Sequence, residues 1–481
     1  MTQPAMNSEN VLEIFKQITC VPRESGHEEK IIAFLQKFAE EHSLECKVDA
    51  AGNVLIVKPA SEGCEDIPTL VLQSHSDMVC EKNAGVEHDF SKDPVKYVIE
   101  DGWMIAKETT LGADCGIGMA AQLAVLESDL RTGRIECLFT VAEETGLDGA
   151  KALQPGFITG KTLINLDSED EGELFVGCAG GIDTTARFHY TQQEIKNDQV
   201  LMEVSIYGGI GGHSGDDINK GRANAVQLLS RFLYLCKGRY RICEISGGNK
   251  RNAIARESAA VIAVSESQSD YVKSIFNGFL EDIKAEYAQT DPDVGASLKV
   301  SHKQFSHSMT AGESEALVSA LYACPHGVLE MSHDIEGLVE TSSNLASIKQ
   351  ECPGVLRIGT SQRSSVVSSC RAAGARVEAC FSLAGAEVSH EGEYPGWKPD
   401  LDSRILEVSK ASYVKLFGTE PVVRAIHAGL ECGLFLDIYP GLDMISFGPT
   451  LRGVHAPGER LDLDSLDKFV RLLEDVILEF K

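Results

Sequence analysis

Four short segments in this chain place apolar residues side by side, at both parities, rather than in alternation: Thr69–Ser74, Ile135–Val141, Thr162–Leu166 and Met444–Phe447. A strand with one wet face alternates apolar and polar residues, so a run apolar at both parities is buried on both faces, as in an α/β sheet. The helices to cover such a sheet are present. Leu12, Ile14, Phe15 and Ile18 share a helical face, as do Ile31, Ile32, Leu35, Phe38 and Ala39, and Met119–Leu126 and Leu466–Phe480 read as further helices. Extended segments on either side of Ala51-Gly52-Asn53 read as a hairpin. From about Ile182 to Gly392 the pattern changes to β-β-helix alternation. Val204–Tyr207, Ala259–Val264, Leu298–Val300 and Leu356–Ile358 are candidate strands there, and helices begin near Ala223 and Asp270. The expected fold class is therefore α/β, a mixed sheet flanked by helices over residues 1–182 and 394–481, with an inserted α+β domain over residues 183–393.

Charge and composition narrow the function. Lys+Arg of 44 against Asp+Glu of 72 gives a net charge of −28, which repels a phosphate backbone, so no nucleic-acid partner is expected. No run of 18 apolar residues exists, so no membrane helix is expected. The 14 cysteines are scattered without C-x-x-C spacing, and the first ten residues lack a basic stretch followed by an apolar core. Free thiols and the absence of a leader pattern make the cytoplasm the expected compartment.

Residues of metal-ligand type stand where the apolar runs end. His75-Ser76-Asp77 follows the first, Glu143-Glu144 the second and Asp167 the third, while Asp114 and His455 lie in Gly-rich loops. Ligands of an open α/β sheet gather beyond the carboxyl ends of its strands, so these loops are expected to converge. Imidazole and carboxylate suit zinc, and the list contains no thiolate, as in open catalytic sites. Two ions about 3.5–4 Å apart need a carboxylate between them. Residues two apart in an extended chain face the same side, so Asp77 can stand behind a coordinating histidine and fix its tautomer. Adjacent Glu143 and Glu144 face opposite ways, leaving one free to ligate and the other to act as a base. Each piece alone is ordinary: a lone His at a strand end is usually a satisfied polar group, and a Glu-Glu pair usually a solvated turn. Their joint occurrence beside buried strands carries the reading.

Other chemistries lack their signatures. Gly116-Ile-Gly-Met-Ala-Ala imitates a dinucleotide fingerprint but does not follow a strand directly, and close packing at a helix start explains its glycines. Gly156–Thr162 imitates a P-loop with one residue missing. Neither G-x-S-x-G nor H-E-x-x-H occurs.

Taken together, His75-Ser-Asp-Met, Gly112-Ala-Asp-Cys-Gly-Ile-Gly, Glu143-Glu-Thr-Gly, Leu166-Asp-Ser-Glu and Gly211-Gly-His-Ser-Gly resemble the co-catalytic zinc family of aminoacylases, carnosinases and glutamate carboxypeptidases. Gly177-Cys-Ala-Gly-Gly-Ile, Glu393-Tyr-Pro-Gly-Trp and His427-Ala-Gly-Leu-Glu-Cys-Gly are similar to segments of its dipeptidase branch. The resemblance implies a zinc-exopeptidase-like catalytic domain with the insertion as its lid, and dipeptides as substrates, Xaa-His among them. It makes His75 and Asp167 ligands of one zinc, Glu144 and His455 of the other, and Asp114 the bridge; Mn2+ or Co2+ would suit the same donors. Asp77 then orients His75, and Glu143 is the general base for attack by a water the two ions activate. His213 would reach the scissile carbonyl from the inserted domain, Asn252 and Arg363 would hold the substrate backbone and C-terminal carboxylate, and Glu431 would meet the free amino terminus. The long insertion fits a homodimer, with His213 serving its own or a partner's site. A deacylase of N-acyl amino acids and a non-catalytic binding homologue are the alternatives. Two positions depart from the family: Cys115 stands where relatives mostly have Asn or Asp, beside a peptide usually cis, and Ala255 where many have Pro.

Overall fold

The computed structural model describes residues 6–481; residues 1–5, which open the segment read for a leader, lie outside the described residues. The chain divides into two compact units, one of Met1–Gly177, Pro399–Ala425 and Leu430–Lys481, the other of Cys178–Lys398 with Ile426–Gly429.

The first unit is built on an eight-stranded sheet. At its centre the strands Ile135–Thr140, Leu70–His75, Thr162–Asn165 and Asp443–Ser446 lie side by side and parallel. The expected hairpin, Glu45–Val48 with Val54–Lys58, adds antiparallel strands at one edge, which makes the sheet mixed. Burial at every position of Ile135–Thr140 and Leu70–His75 accounts for their apolar residues at both parities. The helix Ser8–Ile18 starts where the Asn7 side chain accepts from Asn10 N, and it buries Val11, Ile14, Phe15 and Ile18. The helix Ala113–Glu127 is buried along almost its whole length. Gly116 is what lets it sit so deep, since a Cβ there would stand 2.5 Å from Arg23 Nη2 and 2.9 Å from the Phe15 ring. The dinucleotide-like glycine spacing is thus a packing feature.

The second unit repeats one supersecondary pattern. Strand Gln199–Tyr207, helix Ala225–Leu235, strands Tyr240–Gly248 and Ser258–Ser265, helix Glu266–Glu286 and strand Gly295–Val300 form a βαββαβ module. The same order recurs in strand Gly180–His189, helix Ala311–Ala323, strands Val339–Cys352 and Val355–Ser364, helix Val367–Leu383 and strand Glu387–Tyr394. The first module is spliced into the second after its opening strand. Both have the strand order last, first, third, second, and their second strands pair antiparallel at Gly247↔Ile348 and Gly248↔Ser347. One apolar core joins residues of both sheet halves to the helices, including Val204, Phe232, Ile262, Phe279, Leu345, Ile358 and Phe381. Among the described residues, no helix is long and apolar enough to cross a membrane.

Candidate active site

In the first unit the carboxyl ends of the parallel strands carry the site, and backbone geometry decides which side chains meet. His75 is the last residue of its strand, paired in register with Thr140, and Asp167 follows the neighbouring strand by two residues. Asp114 opens the buried helix at a cis Asp114–Cys115 peptide. Its two oxygens face different imidazoles: Oδ1 lies 2.9 Å from His75 Nε2, and Oδ2 lies 3.1 Å from His455 Nε2. His75 Nε2 is also 3.2 Å from Asp167 Oδ1, and His455 Nε2 is 2.8 Å from Glu144 Oε1. His75, Asp114, Asp167, Glu144 and His455 therefore form one continuous cluster.

Asp77 stands behind it. Its Oδ1 is 3.4 Å from His75 Nδ1, and its carboxylate accepts from Ser25 Oγ at 2.7 Å and from the backbone N–H groups of Glu143 and Glu144 at 3.1 and 3.3 Å. One carboxylate thus fixes an imidazole and the turn that presents both glutamates. Burial pushes its pKa up, but the hydrogen bond and charge of His75, with the hydrogen bonds from Ser25 and the Glu143 N–H, together outweigh this and hold it at about 2.

The charge balance of this pocket calls for cations. Burial, with the charge of Asp114, lifts Asp167 to about 6 despite His75; burial, with Asp114 and Asp167, lifts Glu169 to about 8. Glu143 is raised well above the carboxylate range, first by burial and then by Asp167, Glu431 and Glu144. Hydrogen bonds to Asp114 and Glu144 raise His455 to about 11. Asp167 Oδ1 is buried and forms no hydrogen bond of good geometry, although His75 Nε2 stands 3.2 Å away. Buried carboxylates in such excess are stable when paired or coordinating metal. Imidazoles and carboxylates with an orphaned oxygen at the centre fit divalent ions, either as His75, Asp114 and Glu144, whose donor atoms lie within 4.8 Å of one another, or with His75 and Asp167 beside Cys115. The Cys115 thiol, absent from the sequence-derived ligand set, donates to Leu166 O at 3.3 Å.

Glu431 lies under the same cluster and is 1% exposed. Its Oε2 accepts from Gln73 Nε2 at 2.6 Å and Thr140 Oγ1 at 2.9 Å, while Oε1 has no donor. Burial raises its pKa to about 8.

Two residues that the sequence reading passed over hold the ligand loops in place. Arg23, 1% exposed, donates to Ser76 O at 3.2 Å, to Asp77 O at 2.7 Å and to Gly112 O, so a single guanidinium ties the His75 loop to the Asp114 loop. Glu459, 2% exposed, accepts from the N–H groups of Leu111, Gly112, Ala113 and Asp114 at 2.8, 3.1, 2.8 and 3.4 Å. This is an anion at a helix N-terminus, where orphan donors and the dipole favour it. Neither residue has a local sequence signal, because each is defined by distant backbone groups.

The other candidates lie in the second unit. His213 Nδ1 lies 3.3 Å from the N–H groups of Gly215 and Asp216 and equally 3.3 Å from Asp216 Oδ2. Arg363 and Asn252 line one cavity; Arg363 Nη1 is 3.4 Å from Tyr394 Oη, and its buried Nε has no acceptor. His427 is paired with Ser342 Oγ at 2.7 Å and driven down to about 4 by burial and by Arg363.

Comparison with known proteins gives a consistent result. The model of peptidase family M20/M25/M40 matches residues 71–479. The cytosol non-specific dipeptidase of Escherichia coli (strain K12) is 39% identical over 470 residues, covering 97% of this chain and 96% of that protein. The crystal structure of aminoacylhistidine dipeptidase from Vibrio alginolyticus superposes with a TM-score of 0.92 at 38% identity, over 98% of this chain and 96% of the other. Aminopeptidase PepT from Bacillus cereus, 18% identical with a TM-score of 0.59 over 99% and 100% of the two chains, shares the fold.

Proposed function

The chain belongs to peptidase family M20/M25/M40, and on that premise we propose that it is a metal-dependent dipeptidase whose substrates include Xaa-His dipeptides. The observation that carries this reading is the Asp114 carboxylate, each of whose oxygens faces a different histidine. His75 and Asp167 would hold one divalent ion, Glu144 and His455 a second, and Asp114 both, with Zn2+ the favoured metal. Bound there, the ions supply Lewis-acid activation of water and of the peptide carbonyl.

The protein's own groups do the rest. Glu143, held by the turn that Asp77 anchors, takes the proton of the attacking water and passes it to the leaving amine. Asp77 keeps His75 in one orientation. The second unit is read as a lid carrying His213, Asn252 and Arg363. His213 would donate a hydrogen bond to the tetrahedral oxygen, a donor worth about 2.7–4 kcal/mol in such sites. The loosely held guanidinium of Arg363 is free to take the C-terminal carboxylate in its planar fork, with Asn252 on the backbone. Glu431 is assigned to the substrate's amino terminus, where an ammonium would supply the donor that its Oε1 lacks.

Glu143→Gln tests the assignment. It should lower kcat for Ala-His by about 10²–10⁴ while leaving metal stoichiometry unchanged. Near-normal turnover would remove Glu143 as the base.

A further inference from the structure

The strand Val355–Ser364 buries Leu356, Ile358, Thr360 and Gln362, so its alternate residues Arg357, Gly359, Ser361 and Arg363 share the opposite face. Cross-strand neighbours extend that face: Lys349 lies opposite Arg357, Ser347 opposite Gly359, and Asp183 opposite Ser361. These residues, with Lys250 and Arg251, line a cavity of about 580 Å³. Five cations thus surround one carboxylate, in a chain whose net charge is −28. Only Arg251 is paired with it, Nη1 to Asp183 Oδ2 at 2.7 Å. Among the described residues Lys250, Lys349, Arg357 and Arg363 make no ion pair; Lys349 Nζ instead donates to Asn249 Oδ1 at 2.7 Å. Lys349 directly across from Arg357 is a like-charge pair of the kind that destabilises a sheet. Between the cationic ends the floor is small, made of Ser347, Gly359 and Ser361. Concentrated positive charge over a small-residue floor is a site for anions.

We propose that this cavity is a second anion subsite, which makes dipeptides with an acidic C-terminal residue preferred substrates. The inference rests on the dipeptidase reading, with the α-carboxylate at Arg363. One step of two residues along the strand is about 7 Å. A C-terminal aspartate or glutamate lying along the strand brings its side-chain carboxylate over Ser361, where Arg251 faces Asp183; Arg357, with Lys349 opposite it, stands four residues farther along, about 13 Å, and these two long cationic side chains act on that carboxylate through their field. An uncharged side chain leaves those cations solvated and gains nothing from them. The subsite selects by charge, so its contribution weakens as salt screens it.

The test compares kcat/KM for Ala-Glu and Ala-Gln, which differ in charge and hardly in shape, on the metal-loaded full chain. Ala-Glu is expected to be favoured about tenfold at low salt, with most of the preference gone at high ionic strength. In the double variant Lys349→Gln/Arg357→Gln the ratio should fall several-fold toward one. Both residues are exposed, so the variant should fold, as a circular dichroism spectrum would verify. Equal kcat/KM for the two dipeptides, or a glutamate preference that the double variant leaves intact, overturns the subsite. Cleavage of Ala-Gln without a glutamate preference refutes the subsite alone, whereas cleavage of neither dipeptide refutes the dipeptidase reading and the subsite with it.

Discussion

Replacing Arg23 by methionine keeps an unbranched stem and removes the guanidinium with its donors. The guanidinium now serves Ser76 O, Asp77 O and Gly112 O inside the protein, so the substitution leaves three carbonyls without it. A hydrogen bond to a charged group is worth about 1.5–3 kcal/mol net, which sets an upper bound near 9 kcal/mol. Against this stands relief of the cost of burying a guanidinium, visible in the downward pull of burial on the Arg23 pKa. Removing one partner from a buried charge network typically costs about 3–5 kcal/mol, and that is the expected loss. Urea unfolding of metal-free protein should show it, followed through the fluorescence of Trp103 in the first unit with Trp397→Phe as background. Because Arg23 joins the loops that carry His75 and Asp114, metal affinity measured against a competing chelator should also fall, by about 10–100-fold. A variant within about 1 kcal/mol of its parent, with unchanged affinity, would refute the idea that Arg23 sets the geometry of the ligand loops.

Gly116→Ala places a Cβ 2.5 Å from Arg23 Nη2 and should cost about 1–3 kcal/mol or more, whereas Gly278→Ala, exposed in a helix with nothing within 4 Å, should stabilise by up to about 1 kcal/mol. Equal thermal shifts for the two variants would contradict the packing account. Glu431, with an ordinary value of 4.5 and a folded value of about 8, keeps its proton in the fold while the unfolded chain loses it. Stability of the metal-free protein should therefore fall as pH rises from about 4.5 to 8. Glu431→Gln should flatten that decline, and parallel melting profiles for variant and parent would count against it.

The central sheet was legible because burial on both faces leaves apolar residues at both parities, as at Leu70–Leu72 and Cys137–Phe139. The cluster of His75, Asp114, Glu144, Asp167 and His455 was legible because residues of metal-ligand type recur jointly beside buried strands, although each of them alone is ordinary at a strand end or turn. The doubling of the βαββαβ module was not. One copy interrupts the other, and the two share topology without a repeating sequence period. Arg23 and Glu459 were invisible for a different reason. Their partners are backbone groups dozens to hundreds of residues away, and backbone has no sequence identity. The Cys115 thiol, beside His75 and Asp167, could be recognised only once the fold had brought Leu166 against the buried helix.

The most direct test is hydrolysis of a small panel by chelated protein, with and without added zinc or manganese: Ala-His, β-Ala-His, Ala-Leu, Ala-Ala-Ala and N-acetyl-Leu. The account predicts that metal restores cleavage of the dipeptides while the tripeptide and the acetylated compound stay intact. Cleavage of N-acetyl-Leu alone, or no cleavage of any compound with metal bound, would contradict it.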